Sequence, residues 1–195
     1  MKIKLQLIFL SLLLCTLNSY AQNYVANQQS QSNLIIQGNK TLALSTPPPS
    51  DGDLLNTTGV GKLSSGELVR ASCDHGACYF RINYNGKSVY ASIGDNFSFM
   101  KMYEYDLGGD GDKELIVCVN QQEQTKSGDD RETTLLYIYR YSKGMLEKMF
   151  EKEIKMYKTI IKKNYIEFYM PYGLDAIWHY YHGRLYQMNP VTIKN

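Results

Sequence analysis

Asp106-Leu107-Gly108-Gly109-Asp110-Gly111-Asp112-Lys113-Glu114 runs directly into Leu115-Ile116-Val117-Cys118-Val119, and the fold class is read from this junction. Acidic side chains alternate with glycines and then give way to a run of apolar and β-branched residues. Asp and Gly in that arrangement suit a tight turn for backbone reasons alone. They also suit a loop that wraps a hard cation, because calcium takes roughly six to eight oxygens. Counting from Asp106 as position 1, Asp110 stands at position 5, Gly111 at the sharp turn and Glu114 at position 9, while Asp112 offers its carbonyl. Position 3 is Gly108, which predicts weaker binding than an intact loop gives. An EF-hand needs a bidentate Glu at position 12 and a helix on each side; position 12 here is Val117, in a segment that reads as a strand. EF-hands are thereby excluded, and a β protein is expected.

The motif resembles the Asp-x-Asp-Gly-Asp-Gly-x-x-Asp/Glu loops of FG-GAP/VCBS-type repeats in integrin-like β-propellers, where the loop also leads into a strand. That resemblance implies calcium as a structural cofactor, with Asp106, Asp110, Asp112 and Glu114 as the metal residues.

Met1-Lys2-Ile3-Lys4 is a short basic start, residues 5–14 are apolar, and Ser19-Tyr20-Ala21 is a small-residue end of the kind signal peptidase cleaves. Residues 1–21 therefore read as a secretory signal peptide. The apolar run is too short to span a bilayer, and no later one is longer, so no integral membrane segment is expected. Losing Lys2 and Lys4 brings the basic side chains down to equality with the 19 acidic ones. No bulk electrostatic pull toward nucleic acid remains. A periplasmic or extracellular location is expected, and there Cys73 and Cys78 suit a small hairpin disulfide that leaves Cys118 buried in its strand. Zinc lacks the second close cysteine pair that a four-ligand site needs.

Residues 22–53 are rich in Gln, Asn and Ser and contain Pro47-Pro48-Pro49, which predicts a flexible polar tether. From Thr57 onward, short apolar or aromatic runs alternate with Gly, Asn and Asp, the pattern of a mainly β protein. Strands are expected at Val60-Gly61-Lys62-Leu63, residues 66–71, 78–84 and 87–92, with Asn85-Gly86 as a left-handed hairpin turn. Their order resembles bacterial SH3-like domains, which implies a small barrel over residues 54–95. Residues 96–195 are expected to form an antiparallel, incomplete-propeller-like β-sheet domain. Segment 145–157 fits both helical and strand periodicity, with strand favoured. Residues 121–132, polar and charged, are expected to form a mobile loop or an excursion over a surface.

Of the 17 tyrosines, all but Tyr20 follow the leader. They are densest between residues 165 and 186, where Tyr169, Tyr172, Trp178, Tyr180 and Tyr181 are the candidate ligand-binding residues; ordinary cross-strand packing is the competing account. His179 and His182 point to opposite faces of a strand, which argues against a zinc pair. No Gly-x-Ser-x-Gly elbow, His-Glu-x-x-His helix or phosphate-cradling loop is present. The expectation is a non-catalytic, exported, calcium-stabilised binding protein that recognises a protein or a cell-wall glycan. A periplasmic immunity or inhibitor protein directed at a cell-wall hydrolase is the alternative.

Overall fold

In the computed structural model, residues 34–46, 58–74, 77–95, 97–124, 130–154 and 158–188 are described. Among them the chain is mainly β and contains no helix. The strands are β1 (Leu34–Ile36), β2 (Lys40–Ser45), β3 (Thr58–Lys62), β4 (Leu68–Asp74), β5 (Ala77–Tyr84), β6 (Lys87–Asp95) and β7 (Phe97–Tyr105). They continue with β8 (Glu114–Gln124), β9 (Asp130–Ser142), β10 (Met145–Ile154), β11 (Thr159–Lys162), β12 (Tyr165–Met170), β13 (Gly173–Tyr181) and β14 (Arg184–Met188). Segment 145–154 is thus a strand.

Three sheets stack in layers. The central one has the order β10-β9-β8-β7-β2, a hairpin layer has β3-β4-β5-β6, and a terminal layer has β1-β11-β12-β13-β14. Alternation along β8 explains why Leu115-Val119 is apolar throughout. Leu115, Val117 and Val119 enter the core shared with the hairpin layer, while Ile116 and Cys118 enter the core shared with the terminal layer. A strand covered on both faces has no polar side. Strand β9 divides likewise, with Tyr137 and Tyr139 on the first core and Leu136 and Ile138 on the second.

Several expectations are corrected by this arrangement. The hairpin layer is an open four-stranded meander, not a closed barrel. It shares its core with β2, β7, β8 and β9. Within the stretch read as a tether, residues 34–36 and 40–45 are strands: β1 runs parallel to β11 and β2 runs antiparallel to β7. Two short apolar islands are enough because neighbouring sheets supply the partners that a tether lacks. Leu44 and Ile36 are buried. Residues 121–124 and 130–132 continue β8 and β9 as a paired ribbon instead of forming a loop. The leader 1–21 and the Pro47-Pro48-Pro49 run lie outside the described residues.

Turn chemistry sets the register of the hairpins. Asn85-Gly86, Lys143-Gly144 and His182-Gly183 all take positive φ at both residues, the conformation that matches the twist of a two-residue hairpin. Gly61 has a different reason for being glycine: a β-carbon there would overlap the Ala43 carbonyl. Strand β3 can cross β2 closely because its backbone carries no side chain at that point.

Candidate functional site

The acidic loop leaves β7 after Tyr105 and enters β8 at Glu114. Asp106 shapes it: Oδ1 accepts from the Gly109 and Asp110 amides (2.5 and 3.1 Å), and Oδ2 from the Gly111 amide at 3.1 Å. Asp110 Oδ1 accepts in turn from the Asp112 amide at 3.1 Å. Glu114 does not join these carboxylates. It is buried, with Oε2 accepting from the Leu107 amide at 3.0 Å and Oε1 from the Tyr180 hydroxyl at 2.7 Å. Among the described residues, no three His, Cys, Asp or Glu side chains come together in a way that could hold a metal ion. Asp106, Asp110 and Asp112 lie on the loop, and Glu114 lies in a buried contact between layers where the charge of Asp110 acts on it.

Tyr180 completes that contact from the terminal layer. Arg140 Nη2 lies 3.4 Å from its hydroxyl and donates to the Gly183 carbonyl at 2.6 Å. Burial raises the Glu114 carboxyl above its ordinary pKa, and the bonds from Tyr180 and Leu107 pull the other way. Gly108 stands against the same ring: a β-carbon there would lie 2.8 Å from Tyr180 Cε1. The absent position-3 carboxylate has a packing cause.

Strand alternation separates the aromatic cluster of residues 165–186. Trp178 and Tyr180 face the central sheet, with Trp178 edge-on to Phe150 at 5.0 Å between centroids. Of the five candidate ligand-binding residues, Tyr180 is therefore core and Trp178 packs half-buried against that core, because even-numbered positions of β13 point inward. Tyr181 is 57% exposed, Tyr172 is almost wholly exposed at the β12–β13 turn, and Tyr169 is half-buried on the outer side.

The outer face of the terminal layer brings Tyr165, Tyr181 and Tyr186 of the aromatic cluster together with His179, which the sequence leaves out of that cluster. Tyr165, His179 and Tyr186 sit side by side across β12, β13 and β14. Tyr165 stacks on His179 at 4.8 Å, and His179 stacks on Tyr181 at 6.0 Å. Tyr186 and Met188 are exposed beside them. Glu167, on the same face, pairs with Lys162 and accepts from the Tyr169 hydroxyl at 3.0 Å. Period-two counting from Tyr165 and from His179 was the signal that finds this row.

Cys73 and Cys78 lie opposite each other on β4 and β5 and are bridged. Cys118 is free and buried, and burial pushes its thiol up to about 12, so it is core filling and not a nucleophile.

Comparison with protein-family models, with curated proteins and with solved structures gives no match for this chain.

Proposed function

We propose that this is an exported, non-catalytic binding protein that recognises another protein through the outer face of its terminal layer. The row Tyr165, His179, Tyr181 and Tyr186 carries the reading. Tyr, Met and Arg are enriched in protein interfaces, and this face combines those tyrosines with Met188 and Arg184 while its Lys162 and Glu167 neutralise each other. A protein is favoured over a glycan by ring orientation. Tyr165, His179 and Tyr181 stack within about 25° of parallel, so their faces are turned toward one another and not toward a sugar ring. Export is supported by the basic-apolar-small leader and by the Cys73–Cys78 bridge, which belongs to oxidising compartments.

The test is affinity capture from envelope extract, with the wild type beside Tyr181→Ala and Tyr186→Ala. Each variant should keep the wild-type melting temperature and lose roughly 30-fold in affinity for the captured protein, the scale of an interface hot spot of ~2 kcal/mol. Unchanged capture by both variants would reject this face. Cosedimentation of the wild type with purified peptidoglycan, lost in the variants, would move the assignment to a glycan.

An inhibitor or immunity role against a cell-wall hydrolase is favoured by a second observation. Among the described residues, pairing of β7 with β8 reaches Gln121 and pairing of β9 with β10 reaches Thr134, whereas β8 and β9 stay paired as far as Gln124 and Asp130. Among the described residues a two-stranded ribbon thus extends past its neighbours, a shape suited to entering a cleft.

A further inference from the structure

We propose that the loop of residues 106–114 is a latch between the central and terminal layers that closes without a divalent cation, with the Tyr180 hydroxyl taking up the carboxylate a cation would need. Four contacts carry this. Both Glu114 oxygens are committed, one to the Leu107 amide and one to Tyr180. Moving Glu114 into the loop toward an ion would draw it off the Leu107 amide and leave the buried Tyr180 hydroxyl without its acceptor.

Leu107, the second residue of the loop, is fully buried in the terminal-layer core, and its carbonyl accepts from the Asn164 amide at 2.7 Å. The Asn164 carbonyl in turn accepts from the Tyr180 amide at 2.8 Å. The loop is thus stitched to the β11–β12 turn and to β13 through backbone bonds as well as through Glu114.

Charge is supplied from protein groups. Arg140, beside the Tyr180 hydroxyl, feels the fields of Glu147 and Glu114. The Lys163 side chain crosses Gly109 closely enough that a β-carbon there would overlap it. A tyrosine ring from the terminal layer lies on Gly108, and Gly109 takes a left-handed φ of 71° beneath a lysine stem.

Calorimetry of the leader-free protein in EDTA and in millimolar calcium or magnesium chloride tests the latch. The melting temperature of the wild type should be the same in all three. Tyr180→Phe keeps the ring against Gly108 but removes the donor, and should lower the melting temperature by about 5 °C with or without calcium. Gly108→Asp installs the position-3 carboxylate and should be destabilising in a way that calcium does not reverse. A calcium-dependent rise for the wild type that Asp110→Asn abolishes would overturn the proposal, since an ion bound only to the folded state must raise its stability. Rescue of Gly108→Asp by calcium, or a Tyr180→Phe variant as stable as the wild type, would overturn it equally.

Discussion

On one face the central sheet meets a meander whose four strands follow one another along the chain; on the other it meets a sheet assembled from distant segments, with β1 laid parallel to β11. The hairpin layer forms from local turns and is joined to the central sheet by the short passage from β6 to β7. The terminal layer must close a loop of more than a hundred residues between β1 and β11, at an entropic cost that grows slowly with length. Both faces are fastened by a buried glutamate near the same end of the sheet. Glu104 accepts from the Ser64 amide and hydroxyl, each at 2.7 Å, and Glu114 accepts from Leu107 and Tyr180. What differs is the origin of the donors. One serine in a hairpin turn satisfies Glu104, whereas Glu114 needs its own loop and a strand 66 residues further on. The nonlocal layer is therefore the one whose docking draws its donors from two separate segments of the chain.

The largest effect should come from emptying either core. Phe80→Ala on the hairpin side and Phe168→Ala on the terminal side should each cost ~3–5 kcal/mol. Chemical denaturation should still show a single transition, because β8 and β9 belong to both cores. Two resolved transitions, only one of them moved by Phe168→Ala, would show that the layers unfold separately.

Alkaline pH probes both faces at once. Burial, assisted by the charge of Glu151, raises the Tyr137 hydroxyl to about 12. Burial and the bond to Glu114 raise Tyr180 to about 12 against the pull of Arg140. Tyrosines in the unfolded chain ionise near 10, so between about 10 and 12 the unfolded state binds fewer protons than the folded one, and stability falls as pH rises. Tyr137→Phe and Tyr180→Phe should each flatten that fall in denaturation midpoints measured from pH 9 to 12. Equal slopes in wild type and variants would mean that neither hydroxyl is protected.

The smallest effect separates two neighbours on one face. Tyr137 donates to the Ile93 carbonyl at 3.3 Å, whereas the buried Tyr139 hydroxyl has no hydrogen-bond partner among the described residues. Removing a satisfied hydroxyl costs about 1 kcal/mol, and removing an unsatisfied one relieves a comparable penalty. Thermal melts should place Tyr137→Phe below the wild type and Tyr139→Phe at or above it. The reverse order would reassign the polar partners of this core.

Local chemistry written into the sequence determined the β class, most strand positions and the hairpin turns. Asn85-Gly86 favours a left-handed turn between strands, and the alternation of residues 165–170 is visible without coordinates. The break after Glu114 announced a strand for the same reason. Layer membership was decided only in three dimensions. Leu34-Ile35-Ile36 and Leu42-Ala43-Leu44 are too short to declare themselves as strands, and became so because β11 and β7 offered open edges. Trp178 and Tyr180 look like surface aromatics until the face of β13 that packs on the central sheet is known. Glu114 looks like a loop carboxylate until Tyr180 arrives from a strand far along the chain. A side chain's type and spacing state which bonds it can make. Whether water, an ion or another layer makes them depends on which distant surface folding brings against it.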